Sequence, residues 1–173
     1  WYAVSDGDDP RYPRGALIRY REWYGSTGEP NKGLRMTADD VALGIKAREE
    51  GDCITYSVID PAAYAENGGP SIAERMSVHG VHFGPADNKR VGTLGAMGGW
   101  DQVRARLKGD DDGRAMVYIF STGVHLIRTL PALQHDDKRP EDVDSDGEDH
   151  APDEFRYALM SRPYVKDAPD KPG

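Results

Sequence analysis

Two apolar runs near the start of the chain, residues 1–4 and 16–24, stand on either side of a loop rich in Asp, Gly and Pro at residues 5–15. Turn residues between two runs with period-two alternation predict an antiparallel strand pair. On the second strand Arg19 and Arg21 share one face, with Ile18, Tyr20 and Tyr24 on the other. A pair of this kind must bury one face, so the elements that follow have to lie against it. Those elements alternate. Thr37 with Asp40 three residues later signals the start of a helix carrying Val41, Ala42 and Ile45, and Gly51 supplies its stop. A strand is expected at residues 53–59, ending on Asp60-Pro61. Ser71 and Glu74 form a capping box for a short helix through Met76, and residues 81–83 suit a short strand. Val91, Leu94, Trp100, Val103 and Leu107 give a longer helical pattern that Gly98-Gly99 should divide. Residues 116–120 read as an apolar strand, residues 124–133 as a helix bent or ended at Pro131, and residues 149–160 as a last helix. An antiparallel opening followed by this alternation predicts an α/β fold, a mixed sheet flanked by helices.

Chemistry concentrates at the start of the last helix. Asp149 and Asp153 are four residues apart and therefore share a helical face, while Ala151, Phe155, Ala158 and Leu159 make an apolar stripe. Two carboxylates with His150 between them suit a divalent cation held by oxygen ligands. The same residues also suit simple capping. Asp149 is a good N-cap, Pro152 is tolerated in a first turn, and Asp153 and Glu154 favour the positive end of the helix dipole. One carboxylate has lone pairs enough for both uses. Asp60, at the carboxyl end of an expected strand, is a third candidate because sites in such sheets gather there. An Asp before Pro also commonly does no more than start a turn.

Composition removes several classes. Among 173 residues no apolar run approaches the roughly 20 needed to cross a bilayer, and no signal-peptide pattern is present. The single cysteine, Cys53, excludes an internal disulfide, fits a reducing compartment, and lies inside an expected strand as a buried, inert thiol. A net charge of -8 argues against a general nucleic-acid coat. Eight of the acids fall within residues 135–150, however, so a basic surface elsewhere remains open, with Arg11, Arg14, Arg19 and Arg21 interleaved with Tyr12, Tyr20 and Trp23. Asp142-Val-Asp-Ser-Asp-Gly147 matches the opening of a calcium loop, although Asp149 stands where an apolar residue belongs and Asp153 where a glutamate belongs. His79 and His82 lack further zinc ligands of suitable spacing, and the glycines at 92, 95, 98 and 99 form no phosphate-binding loop. Residues 164–173 read as a flexible tail.

Taken together, six segments resemble the nuclease domain of the large terminase subunit of tailed bacteriophages. They are Trp1–Tyr24 with Pro13-Arg-Gly-Ala-Leu-Ile-Arg19, Ser57-Val-Ile-Asp-Pro-Ala62, Gly69-Pro-Ser-Ile-Ala-Glu-Arg-Met76, Ala86-Asp-Asn-Lys-Arg90, His125-Leu-Ile-Arg-Thr-Leu-Pro-Ala-Leu133 and Asp146-Gly-Glu-Asp-His-Ala-Pro-Asp-Glu-Phe-Arg-Tyr-Ala-Leu159. The resemblance spans residues 1–163 as one nuclease domain. It implies an RNase H-like fold without its first strand, and a two-metal-ion endonuclease cutting concatemeric viral double-stranded DNA during genome packaging in the host cell cytoplasm. It implies two Mg2+ or Mn2+ ions. Asp60 matches the middle acid of the family site, Asp149 or Asp153 the last, and His150 a residue near the metals. Arg19, Arg21, Lys89 and Arg90 would hold the DNA backbone. The first acid of that site belongs on a strand preceding Trp1, so residues 1–173 alone are expected to be inactive or very weak. An upstream ATPase domain, the portal and the small terminase subunit would be partners, with no membrane involved. Pro152-Asp-Glu-Phe155 departs from the family pattern, which has a small residue after the second Asp. The competing expectation is a non-catalytic docking module, or a calcium-binding loop on an inert scaffold.

Overall fold

In a computed structural model that describes residues 1–29, 32–144 and 147–165, the opening runs pair as their alternation requires. The elements run β1 (Tyr2–Val4), β2 (Leu17–Arg19), α1 (Ala38–Arg48), β3 (Val58–Ile59), α2 (Ile72–Val78), β4 (Gly84–Pro85), α3 (Gly99–Lys108), β5 (Val117–Ile119), α4 (Val124–Thr129) and α5 (His150–Ser161), with 3-10 turns at Pro61–Tyr64 and Leu130–Ala132. They fall into two compact units. One is Trp1–Trp23 with the chain from Lys89 onward; the other is Tyr24–Asn88. No helix among the described residues is long and apolar enough to cross a membrane.

The first unit holds a three-stranded mixed sheet in the order β1-β2-β5. β1 and β2 are antiparallel with Tyr2 opposite Arg19, and β2 and β5 are parallel with Leu17 opposite Val117. Its buried apolar residues include Ala16, Leu17, Trp100, Val103, Met116, Val117, Leu126, Val143, Ala151, Phe155 and Leu159. The inward face of β2 is the one that carries Arg19. Leu17 and Arg19 turn in, and Ile18 is only half-buried. Arg19 can sit there because its charge is met by Glu22 at 3.1 Å and by Glu154, with Tyr2 Oη also accepting from it. The long helical pattern starts only at Gly99, where the Gly98 amide donates to Asp101 at 3.0 Å, so Gly98-Gly99 opens the helix instead of bending it.

α4 has Gly123 at its N-cap and so no capping side chain of its own. Glu22 supplies one from the far end of the sequence, accepting from the His125 and Leu126 amides at 2.8 and 3.1 Å. Glu22→Ala therefore orphans two helix donors and one partner of Arg19. It should lower stability by about 2 kcal/mol in urea denaturation. Pro131 ends the helix in a 3-10 turn, as expected. Residues after α5 are better held than a loose tail. Arg106, itself buried, donates to the Met116 carbonyl at 2.8 Å and the Arg162 carbonyl at 2.6 Å. Gln102 exchanges two hydrogen bonds with the Tyr164 backbone, at 3.1 and 2.7 Å. Residues 166–173 of the expected tail lie outside the described residues.

The second unit packs α1 and α2 around Ala42, Met76 and Val81, with Ala38, Val41, Ile45, Ile59 and Phe83 against them. Both helices open on the expected capping boxes, Thr37 with Asp40 and Ser71 with Glu74. The strand expected at residues 53–59 shrinks to Val58–Ile59, and Ile54 and Tyr56 stay exposed. Its partner is not residues 81–83 but Gly84–Pro85, paired in parallel. Cys53 therefore lies on the surface, and the expectation of a buried thiol is corrected.

Candidate functional site

Asp149 occupies the N-cap of α5, but its side chain makes no capping hydrogen bond. Its carbonyl alone serves the helix, accepting from the Asp153 amide at 2.7 Å. Capping thus explains the position of Asp149 and leaves its carboxylate unexplained. The i, i+4 spacing brings Asp149 and Asp153 onto one face, where Oδ2 of each lies near the same nitrogen: Arg90 Nη1, at 3.8 and 3.7 Å. Asp153 Oδ1 accepts from Arg156 Nε and Nη2 at 3.1 and 3.0 Å.

A layer beneath fixes these arginines. Arg90 Nε donates to Asp142 Oδ1 at 2.8 Å, and its Nη2 to the Val143 carbonyl at 2.9 Å. Trp100 Nε1 donates to the same Asp142 oxygen at 3.1 Å. The indole lies beneath both guanidinium groups, with centroid distances of 5.8 Å to Arg90 and 5.6 Å to Arg156. Burial pushes the Asp142 carboxyl up, yet the hydrogen bonds from Arg90, the Val143 amide and Trp100, with the Arg90 charge, hold it below its ordinary value. Asp149 goes the other way. Burial and then the neighbouring Asp153 carboxylate raise it, and His150 and Arg90 offset only part of that.

A carboxyl whose folded value is raised favours the folded state at low pH, and that contribution is lost as pH rises through the folded value. At neutral pH Asp149 is therefore a net cost to the fold. Asp149→Asn should stabilise the protein by about 1 kcal/mol or less at pH 7, and the gain should vanish on acidification below about pH 4, as thermal melts across pH would register.

Asp149, Asp153 and Arg90 are thus brought together, and His150 stands beside them, largely exposed, with Nδ1 3.8 Å from Asp149 Oδ1. Asp60 belongs to the second unit. It closes β3 and caps the 3-10 turn, accepting from the Ala62 amide at 2.7 Å, so the turn role expected of Asp-Pro is present. Arg19 is corrected as a DNA-backbone contact: it is buried between Glu22 and Glu154 and works as an internal tie. Arg21 is half-buried against Trp1 and Tyr20, at 5.5 and 5.2 Å. Lys89 is exposed, while its carbonyl accepts from the Gly99 amide and Arg156.

The calcium-loop reading loses its first ligand, since the Asp142 side chain is buried and spent on Arg90 and Trp100. Ser145 and Asp146 of that loop lie outside the described residues. His79 bonds Asp39 at 2.9 Å, away from any zinc-like set. The acid pair itself offers hard oxygen donors, and one cationic nitrogen already stands within ion-pair distance of both carboxylates. That suits a two-carboxylate share of a Mg2+ or Mn2+ site. Among the described residues no group of three or more His, Cys, Asp or Glu is placed to hold a metal.

The sequence reading placed Asp142 in a calcium loop and Trp100 in a helical pattern, and it gave neither of them, nor Arg156, a part in this layer. The Asp153–Arg156 pair carries an i, i+3 signal, but Arg90–Asp142 joins residues 52 apart and leaves no local trace. Comparison with protein families, curated proteins and solved structures finds no match to this chain.

Proposed function

We propose that this chain is the nuclease domain of a phage terminase large subunit, a metal-dependent endonuclease that cuts concatemeric double-stranded viral DNA during packaging in the host cytoplasm. The observation that supports the reading most is Asp149: a mostly buried carboxylate at a helix start that does not cap its helix, set beside Asp153 at some cost to stability. Costs of this kind concentrate at functional sites. The mixed sheet with flanking helices is compatible with an RNase H-like arrangement, which is part of the proposal.

In this reading Asp149 and Asp153 would hold divalent cations, with Asp60 as the further acid that the resemblance implies. Bound Mg2+ or Mn2+ would supply a water of lowered pKa and stabilise the leaving oxygen. Arg156 keeps the Asp153 carboxylate oriented through its two bonds to Oδ1. His150, largely exposed beside Asp149, is placed to orient water or phosphate. Lys89 and Arg21 remain the candidates for non-specific backbone contact. The upstream ATPase domain, the portal and the small subunit are the implied partners.

Plasmid nicking in Mn2+ tests the reading, using a chain extended upstream of Trp1, where the resemblance places a further acid. The extended chain should nick supercoiled DNA, and EDTA should stop it. Asp60→Asn, Asp149→Asn and Asp153→Asn should each lower the rate by about a hundredfold or more, with residues 1–173 alone far weaker than the extended form. A folded, extended chain that never nicks, or an Asp60→Asn variant that cuts at the parent rate, would remove the nuclease assignment.

A further inference from the structure

We propose that Arg90 is the resident counter-charge of the Asp149–Asp153 pair, competing with a divalent cation for those carboxylates and so setting the affinity of the site. The inference rests on the metal-binding reading above and adds a specific part for a residue that the sequence had suggested for DNA contact.

The geometry separates the three donors of this guanidinium. Nε and Nη2 are anchored on one side, at 2.8 Å from Asp142 Oδ1 and 2.9 Å from the Val143 carbonyl, with the Trp100 ring against them. Nη1 is left facing the acid pair, at 3.8 and 3.7 Å from the two Oδ2 atoms. Those separations exceed the roughly 2.7–2.9 Å of a charge-assisted hydrogen bond. Arg90 therefore acts on the pair as a fixed charge, not as a bonded partner. Arg156 bonds the opposite oxygen of Asp153, so Oδ2 of each acid remains on the Arg90 side. A cation bound by the two acids would meet that fixed positive charge nearby, only partly screened by solvent. Arg90 offsets part of the charge of the acids without the ion, and the ion must outdo that partial compensation.

Calorimetric titration of Mn2+ into residues 1–173 tests this, comparing the parent with Arg90→Gln, Asp149→Asn and Asp153→Asn. Arg90→Gln should bind Mn2+ on the order of tenfold more tightly, because a repelling neighbour is gone. A merely structural role would predict the opposite, since a loosened site binds less well. If the parent binds Mn2+ through Asp149 and Asp153 while Arg90→Gln binds equally or more weakly, the Arg90 proposal is overturned and the metal site stands. If neither the parent nor Arg90→Gln binds, both ideas fall. Should Arg90→Gln fail to fold, NMR of the parent decides. Saturating Mg2+ should shift the Arg90 Nη signals and leave its Nε–H in place; carboxylate shifts at Asp149 and Asp153 with unmoved Nη signals would overturn the proposal.

Discussion

Asp142→Ala should destabilise the first unit by about 3–5 kcal/mol, because it strands a partly buried guanidinium whose main partner is removed. Asp142 is 1% exposed, and one of its oxygens accepts from Arg90 Nε, Trp100 Nε1 and the Val143 amide. Removing it leaves three donors without their acceptor inside the packed layer under α5. Trp100 fluorescence in a urea titration reads the change directly. The pH dependence has a definite sign. A carboxyl held below its ordinary value contributes stability that is present above about pH 4 and is lost as pH falls through the folded value. The parent should therefore lose more stability on acidification below pH 4 than Asp142→Ala does. A variant within about 1 kcal/mol of the parent would mean that the Arg90–Asp142–Trp100 layer does not organise this unit.

The second large effect concerns the start of α3. Gly99→Ala should cost about 2–4 kcal/mol through overpacking. A Cβ there would stand 2.3 Å from Arg156 Cγ, 2.5 Å from its Cδ and 3.0 Å from the Lys89 carbonyl oxygen. Those methylenes are the stem of a buried side chain held at its far end by Asp153 and Lys89, so they cannot swing aside. The damage should be specific to that stem. In an Arg156→Ala background Gly99→Ala should cost less than half as much, a coupling that a double-mutant cycle measures. Equal costs in both backgrounds would show that the Arg156 stem is not the obstacle. Gly98 tolerates a side chain no better, since its Cβ would lie 2.2 Å from the Val91 carbonyl carbon.

These residues also show where sequence reading works and where it stops. Local devices were legible: both capping boxes, the Pro131 stop, and the shared face of Asp149 and Asp153 all follow from neighbours within four positions. Burial was not. Arg19 reads as a surface cation in any alternating strand, and it turns inward only because Glu22 and Glu154, from β2's own exit and from α5, meet it there. Residues 53–56 read as strand by their apolar content, but Ile54 and Tyr56 stay exposed and Cys53 ends on the surface. Asp142 read as one of eight acids in a short stretch and as the first position of a calcium loop. Its commitment to Arg90 and Trp100 is a tertiary event with no periodic signature.

Nuclease chemistry in this chain requires a divalent cation at the head of α5. Substoichiometric Mn2+ added to isotopically labelled protein, followed by residue-resolved paramagnetic broadening of amide signals, locates it most directly. Broadening should appear first at residues 149–154 and disappear in the Asp149→Asn, Asp153→Asn double variant. Broadening centred on residues 136–144, or unchanged in the double variant, would contradict the claim.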